Sequence, residues 1–238
     1  MMSLRSFAHT DVGLVRPENE DSFLRNDTHG LYAVADGIGG LPAGGQASQL
    51  ALATLEKIFT SHAAGHKLNY PRILAEVNDQ VFRLGRVLSP QFGIGSTLTF
   101  AHITGVKMNI GHVGDSSALR LRSKHLEQLT RDHTIENEMK ERAARGEPIA
   151  MLMENRNALT RCIGQPPPLE PECTSHTLLP HDRYLLCSDG ISRFLSTSEI
   201  TDILAAAAEP EAAARQLIAR ANELGGLDNS TAVVLFCD

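Results

Sequence analysis

Four aspartates stand beside apolar, strand-length runs of the sequence, where their carboxylates could hold a cation. They are Asp36 after residues 31–35, Asp115 after 110–114, Asp189 after 184–188 and Asp228 before 231–236. Asp-Gly taken alone is a common hairpin turn, and a turn is the alternative interpretation of each position. The recurrence at the borders of buried strands favours a site, because hard divalent cations prefer oxygen ligands. We therefore predict a hard-cation site where these runs end.

The composition is that of a globular protein and argues against some classes of partner. The chain has 238 residues, of which 42% are hydrophobic and 21% charged, with a net charge of −6. This negative charge argues against nucleic acid or an anionic membrane as the main partner. No linker, repeat or low-complexity segment divides the chain, so we predict a single domain over residues 1–238.

The cysteines and the first residues bear on the cellular compartment. Four cysteines occur without any Cys-x-x-Cys spacing, which is typical of reduced thiols rather than of disulfides or a zinc site. They are Cys162, Cys173, Cys187 and Cys237. Residues 1–7 lack an apolar signal core, and no apolar run is long enough to cross a membrane. These features predict a cytoplasmic protein.

The order of strand and helix patterns predicts an α+β fold. Two helical patterns follow the run 31–36, three strand-like segments lie within 96–122, and two further helices precede the last strand. The connections at 104–105 and 114–115 are too short for parallel crossovers, so we predict an antiparallel meander there. Buried strands with antiparallel connections favour a four-layer α-β-β-α sandwich of two antiparallel sheets flanked by helices. A doubly wound parallel sheet is the alternative.

Histidines offer a second possible set of metal ligands. His62 and His66 have helical spacing, but no third ligand is near them in sequence. We therefore interpret them as solvated side chains rather than as a zinc site. His133 precedes a helical pattern over 132–145 and is predicted to be a surface residue at the helix N-terminus.

The motifs around the aspartates occur in an order that resembles one enzyme family. They are Val15-Arg16, Asn19-Glu20-Asp21, 34–40, Gly95-Ser96-Thr97, 113–116, 129–133, 157–161, Ser188-Asp189-Gly190 and 228–231. Each motif is weak alone, but together they extend over nearly the whole chain. The sequence resembles the metal-dependent protein phosphatases of the 2C type, the PPM family, and its short length resembles the bacterial branch.

The resemblance implies a serine/threonine phosphoprotein phosphatase that uses Mn²⁺ or Mg²⁺. Asp36 would bridge two tightly bound ions. Asp189 and Asp228 would hold the first ion, and the Gly37 carbonyl would reach the second. A water shared by the two ions would attack the phosphomonoester.

The resemblance also assigns supporting roles. Glu20 would orient the attacking water, and Arg16 would bind the phosphoryl oxygens of the substrate. Asp115 is expected to hold a third, weaker ion with Asp189, because no basic residue follows it; capping its own turn is the alternative. Many eukaryotic members carry a histidine at the position of Ile38, which cannot donate a proton.

The expected partners follow from this activity. They are phosphorylated proteins and a cognate serine/threonine kinase, in signal transduction. Residues 132–157 are predicted to include a mobile flap, in which Met151, Leu152 and Met153 would influence substrate choice. Hydrolysis of a small phosphoester and non-catalytic binding of a phosphoprotein are the alternatives. Arg16 and the candidate metal-binding aspartates are all present, which argues against non-catalytic binding because a protein that only binds needs no complete metal site.

Overall fold

The computed structural model describes residues 3–61, 68–147 and 156–238. The strands are β1 (Leu4–Asp11), β2 (Asp21–Asn26), β3 (Leu31–Asp36), β4 (Leu98–Thr104), β5 (Lys107–Val113), β6 (Ser117–Arg122), β7 (His125–Gln128), β8 (Glu172–Thr177), β9 (Arg183–Cys187) and β10 (Ser230–Cys237). The helices are α1 (Gly44–Ser61), α2 (Tyr70–Leu88), α3 (Ile135–Ala144), α4 (Asp189–Ser192), α5 (Thr197–Ala206) and α6 (Pro210–Glu223).

The strands form two antiparallel sheets of five strands each. Sheet I has the order β1-β10-β9-β6-β7, and sheet II has the order β2-β3-β4-β5-β8. Every paired neighbour in both sheets runs antiparallel. The predicted α+β sandwich of two antiparallel sheets is therefore confirmed, and the doubly wound parallel sheet is wrong.

The hydrophobic core is divided between three interfaces, which define four layers. Leu31, Ala33 and Ala35 of β3 join a cluster with α1 and α2. Tyr32 and Val34, the residues between them, join the cluster that also contains side chains of β9 and β10 in sheet I. A third cluster joins sheet I to α4, α5 and α6. Both faces of β3 are thus buried, which explains its uninterrupted apolar sequence.

The predicted meander over residues 96–122 is wrong at its second turn. β4 pairs with β5, but β6 pairs with β7 and β9 in the other sheet. Residues 114–116 therefore cross from sheet II to sheet I. Gly114 has φ +111°, and a Cβ there would lie 2.6 Å from the Thr97 side chain. Two stacked sheets lie only about 10 Å apart, so a short connection can switch sheets as well as reverse a hairpin.

Local sequence signals placed several helix ends correctly. Asn69 caps α2 by accepting a hydrogen bond from the Arg72 N–H, and Ser196 with Glu199 forms the predicted capping box of α5. The sequence did not predict β7 or the four-residue helix α4. The predicted helix 132–145 is shorter, at Ile135–Ala144.

Some sequence predictions concern residues outside the described ranges. These are the solvated interpretation of His62 and His66, and the flap residues Met151, Leu152 and Met153. All four cysteines are free thiols, as predicted. In the part of the chain that the structure describes, no helix is both long and apolar enough to cross a membrane.

A buried ion pair joins the two sheets near the β8–β9 connection. Asp182 accepts hydrogen bonds from Arg122 Nε at 2.7 Å and Nη2 at 2.6 Å, and from the Tyr184 hydroxyl at 2.8 Å. The Asp182 side chain is only 1% exposed. Arg122 in sheet I also donates to the Thr177 carbonyl in sheet II. One guanidinium therefore bridges the sheets.

We predict that Asp182→Ala lowers the free energy of unfolding by about 1–3 kcal/mol, because buried donors lose their acceptor. Urea denaturation at pH 7 measures this change. Asp202→Ala removes an exposed carboxylate from α5 and should change stability by less than about 0.5 kcal/mol. Equal effects of the two substitutions would contradict the role of Asp182.

The difference in unfolding free energy between wild type and Asp182→Ala should depend on pH. Burial alone would raise the pKa of Asp182, but the hydrogen bonds from Arg122, the Leu179 N–H and Tyr184 hold it below its usual value. A lowered folded-state pKa stabilises the protein above the unfolded pKa of about 4. The stability gap between wild type and Asp182→Ala should therefore narrow as the pH falls below that value.

Candidate active site

All seven predicted site residues line one cleft of about 630 Å³ at one end of the sandwich. They are Arg16, Glu20, Asp36, Gly37, Asp115, Asp189 and Asp228. They come from loops, from the end of β3 and, for Asp189, from the first residue of α4. The tertiary structure thus brings together residues that are separated by up to 212 positions in sequence.

The Gly95-Ser96-Thr97 motif holds the end of β3. The Asp36 N–H donates to Thr97 Oγ1 at 2.9 Å, and the Asp36 carbonyl accepts from Ser96 Oγ at 2.9 Å and from the Thr97 N–H at 2.8 Å. These bonds satisfy the backbone of Asp36 on both sides. Its side chain is therefore presented from a fixed main chain.

Buried hydroxyl groups join β2, β9 and β10 beneath the cleft. Ser188 Oγ and Thr231 Oγ1 both donate to Asp21 Oδ2, at 2.7 and 2.6 Å. The Ser188 N–H also donates to the Thr231 carbonyl at 3.1 Å. This network fixes the chain immediately before Asp189.

Asn229 ties the segment that carries Arg16 and Glu20 to the start of β10. Its Nδ2 donates to the Val12 and Glu18 carbonyls at 2.9 and 3.0 Å, and its Oδ1 accepts from the Glu20 N–H at 2.9 Å. The side-chain amide thus acts as a backbone partner for an otherwise irregular loop. Asp228 precedes it directly, so the same contacts hold Asp228 beside that loop.

Glycines leave space for the polar side chains of the cleft. A Cβ at Gly39 would lie 3.0 Å from Arg16 Nη1, and a Cβ at Gly44 would lie 2.6 Å from Glu20 Oε1. Arg16 Nη2 contacts Asp228 Oδ2 at 2.9 Å, and its side chain remains 41% exposed. Arg16 therefore lies at the mouth of the cleft with donors available to solvent.

The carboxylates of the cleft oppose one another electrostatically. The pKa of Asp36 is raised well above its usual value by burial and then by the charges of Asp21, Asp189, Asp115 and Asp228. Burial and the charge of Asp189 raise the pKa of Asp115 to about 7. Burial also raises the pKa of Asp189. A divalent cation would relieve this repulsion and stabilise the ionised carboxylates.

The donor set fits Mn²⁺ or Mg²⁺. The candidate metal ligands in the cleft are carboxylates and the Gly37 carbonyl, all hard oxygen donors. Within the described ranges, no group of three or more His, Cys, Asp or Glu side chains meets the geometry of a metal site by itself. Mg²⁺-like ions keep several waters and bind through one or two carboxylates each. An open cleft lined by aspartates is consistent with that mode of binding.

Arg193 is the cleft residue that the sequence analysis missed. It pairs with Asp115 and, four residues earlier on α4, with Asp189 at 2.8 Å. The expectation that Asp115 lacks a basic partner is therefore wrong. The i,i+4 spacing from Asp189 was a usable signal, but the short helix that makes it meaningful was not predicted.

The predicted surface position of His133 is also wrong. His133 is only 2% exposed, and its ring packs against that of His112 at 4.8 Å between centroids; Thr134 is the N-cap of α3. The Gly114 N–H donates to His133 Nδ1 at 3.1 Å, and the His133 N–H donates to the Gly114 carbonyl at 2.8 Å. Burial and neighbouring positive groups lower the pKa of His133 to about 3. A neutral imidazole thus holds the turn that carries Asp115.

Comparison with known proteins identifies relatives along the whole sequence. The family model for Protein phosphatase 2C matches residues 5–230. Serine/threonine phosphatase stp of Listeria welshimeri is 31% identical over 234 residues, which cover 95% of this chain and 93% of that protein. Serine/threonine protein phosphatase PstP of Mycobacterium tuberculosis is 34% identical over 232 residues, 97% of this chain. This chain spans 44% of the length of that protein.

Solved structures agree with these relatives. PppA, a regulatory component of T6SS in Pseudomonas aeruginosa, has a TM-score of 0.85 at 32% identity, covering 99% of this chain and 98% of that one. The catalytic domain of PstP, solved with two manganese ions, has a TM-score of 0.82 at 33% identity, covering 100% and 99%. Fold and relatives together define a metal-dependent phosphoester hydrolase.

The chain belongs to the protein phosphatase 2C family. It is a serine/threonine protein phosphatase of the metal-dependent class, as the sequence predicted.

A close backbone contact sets the spacing of Asp189 and Asp228. A Cβ at Gly190 would lie 1.9 Å from the Asn229 carbonyl oxygen. Gly190→Ala must therefore push the two segments apart, and we predict a loss of turnover of about a hundredfold. Hydrolysis of para-nitrophenyl phosphate at saturating Mn²⁺ measures it.

Gly45→Ala is the matched control. A Cβ at Gly45 makes only an ordinary contact of 3.6 Å with Glu20 Cα, so that variant should retain activity. Thermal melting of both variants separates loss of the site from loss of the fold. Full turnover in Gly190→Ala would show that the spacing does not matter.

Proposed function

We propose that this chain hydrolyses phosphoserine and phosphothreonine esters on proteins with two Mn²⁺ or Mg²⁺ ions held in the cleft. The observation that carries the proposal is the gathering of Asp36, Asp189 and Asp228 beside Arg16 in one cleft. Carboxylates so close together need cations, and a guanidinium at their edge suits an anionic substrate.

Each ligand in this proposal has a position that supports it. Asp36 lies at the end of β3, where the charges of Asp189, Asp115 and Asp228 all act on its carboxylate, so it would contact both ions. Asp189 and Asp228 would hold the first ion, and the Gly37 carbonyl the second. Two divalent ions of this kind supply a water acidic enough to attack phosphorus near neutral pH.

The chain's own polar groups would bind the substrate and orient the water. Arg16 presents a planar set of donors that matches phosphoryl oxygens, and its exposed guanidinium is 2.9 Å from Asp228. Glu20 lies in the same cleft, with its backbone fixed by Asn229, and would orient the attacking water by accepting a hydrogen bond from it. Ile38 lines the cleft without a proton to donate.

The proposal extends to the setting of the enzyme. Phosphorylated proteins would be its substrates, and a serine/threonine kinase its counterpart in cytoplasmic signal transduction. The net charge of −6 supports neither nucleic acid nor an anionic membrane as a partner. Pairing of β1 with β10 supports a single domain over residues 1–238, because the two ends of the chain share one sheet.

We expect Asp36→Asn to lower turnover by at least about a hundredfold, because one residue stabilises both ions and the developing charge. Phosphopeptide hydrolysis and Mn²⁺ binding by calorimetry, measured together, test this. Asp202→Asn on exposed α5 is the control and should match wild type. Undiminished turnover of Asp36→Asn, or full wild-type activity in a chelator, would contradict the proposed function.

Arg16→Ala should weaken the transition-state complex by about 1.5–3 kcal/mol, because a charge-assisted pair of hydrogen bonds to phosphate is lost. Mn²⁺ affinity should be unchanged or higher, since a positive charge beside Asp228 is removed. The kinetic constants for para-nitrophenyl phosphate and calorimetry with Mn²⁺ measure the two effects. Arg72→Ala removes an exposed arginine of α2 as a control. A variant of Arg16 with unaltered KM and kcat would exclude it from the site.

A further inference from the structure

One guanidinium is shared between two carboxylates at the edge of the cleft. Arg193 Nη2 contacts Asp115 Oδ2 at 2.5 Å, and Nη1 contacts Asp189 Oδ2 at 2.8 Å. The Asp115 and Asp189 side chains are 8% and 11% exposed, whereas that of Arg193 is 37% exposed. Two nearly buried anions therefore share one partly exposed cation.

The backbone at Arg193 is fixed while its side chain reaches across the cleft. The Arg193 N–H donates to the Asp189 carbonyl at 3.0 Å, which closes the last turn of α4. Asp115 reaches the same guanidinium from the connection between the two sheets. The ion pairs thus join α4 to residues 114–116.

A cation held by both Asp115 and Asp189 would lie beside oxygens that Arg193 already contacts. Oδ2 of each carboxylate is the atom paired with the guanidinium. A divalent ion beside these oxygens would also meet the positive charge of Arg193 at close range, which disfavours its binding. Guanidinium and metal ion are therefore alternatives at this position.

We propose that Arg193 is the resident cation of the Asp115–Asp189 pair and excludes a third divalent ion from it. The inference rests on the proposed function, since it concerns the same cleft. It replaces the weak third ion expected from sequence with a side chain of the protein itself. The enzyme then works with two ions, because Arg193 supplies the positive charge that a third ion would otherwise supply beside Asp115.

A groove beside the catalytic cleft offers a second position for the Arg193 side chain. Arg193 and Asp115 line both the catalytic cleft and a cavity of about 460 Å³ that also contains Asp132 and Glu136. The side chain can therefore swing away from Asp189 and remain near carboxylates. Only at high concentration would a divalent ion compete with the guanidinium and force this movement.

The test is a count of bound Mn²⁺ by calorimetry, with the free ion followed by electron paramagnetic resonance. Wild type should bind two ions. Arg193→Gln should bind a third, at least about tenfold more tightly than any third ion in wild type, because a neighbouring positive charge is gone. The double variant Asp115→Asn with Arg193→Gln should return to two ions.

Three further variants keep the test decisive. Arg193→Lys retains the charge and should bind two ions, and Asp115→Asn alone should leave the wild-type count at two. Arg156→Gln removes an equal charge from the adjoining groove and should also leave two. Thermal melting shows whether each variant is folded. The Asp115→Asn variant keeps Arg193 and therefore tests the inference even if the Arg193 variants do not fold.

Several outcomes would overturn the inference. A third ion that wild type binds as tightly as Arg193→Gln does, and that Asp115→Asn removes, would show that Arg193 does not exclude it. The inference would also be wrong if wild type and folded Arg193→Gln bound the same number of Mn²⁺ ions with the same affinities. It would be wrong as well if Arg156→Gln gained a third ion as Arg193→Gln does. These outcomes differ from a failure of the proposed function. If the proposed function were wrong, Asp36→Asn would bind as many ions as wild type.

Discussion

Repulsion between carboxylates gathered in one cleft is the constraint on which this structure depends. Asp36, Asp115, Asp189 and Asp228 line the same cleft, and burial and mutual repulsion raise the pKa of Asp36. Such an arrangement costs folding free energy unless positive charge and hydrogen bonds offset it. The electrostatic field that destabilises the ionised carboxylates is also the field that attracts divalent cations to the cleft. Affinity for metal and instability of the cleft are two results of one arrangement.

The sandwich withstands this repulsion because the backbone around the cleft is tightly held. Hydroxyls of Ser188 and Thr231 converge on Asp21, and the amide of Asn229 replaces missing main-chain partners in the loop before β2. Neutral His133 completes the set by holding the turn at Gly114. Asp21 adds its own negative charge to the field at Asp36, whereas the hydroxyls, the amide and the imidazole are neutral. They fix the positions of the carboxylates without competing for cations.

The two arginines of the cleft differ in what they neutralise. Arg16 is at the mouth, contacts Asp228 with one nitrogen and is available to a phosphoryl group. Arg193 is divided between Asp115 and Asp189, and so satisfies carboxylates that would otherwise recruit another ion. Relatives from Listeria, Mycobacterium and Pseudomonas have the same overall fold or sequence pattern at 31–34% identity.

The sequence by itself determined the sandwich class, the family and seven of the residues that line the cleft. Buried strands leave uninterrupted apolar runs, and Asp36, Asp189 and Asp228 are marked by the short motifs beside them, so both signals are local. Only the tertiary structure decided that residues 114–116 cross between sheets, since a hairpin and a crossing need equally few residues. It also decided that His133 is buried and that Arg193 pairs with Asp115, 78 residues away. Those contacts depend on which surfaces meet after folding, and no spacing along the chain encodes that meeting.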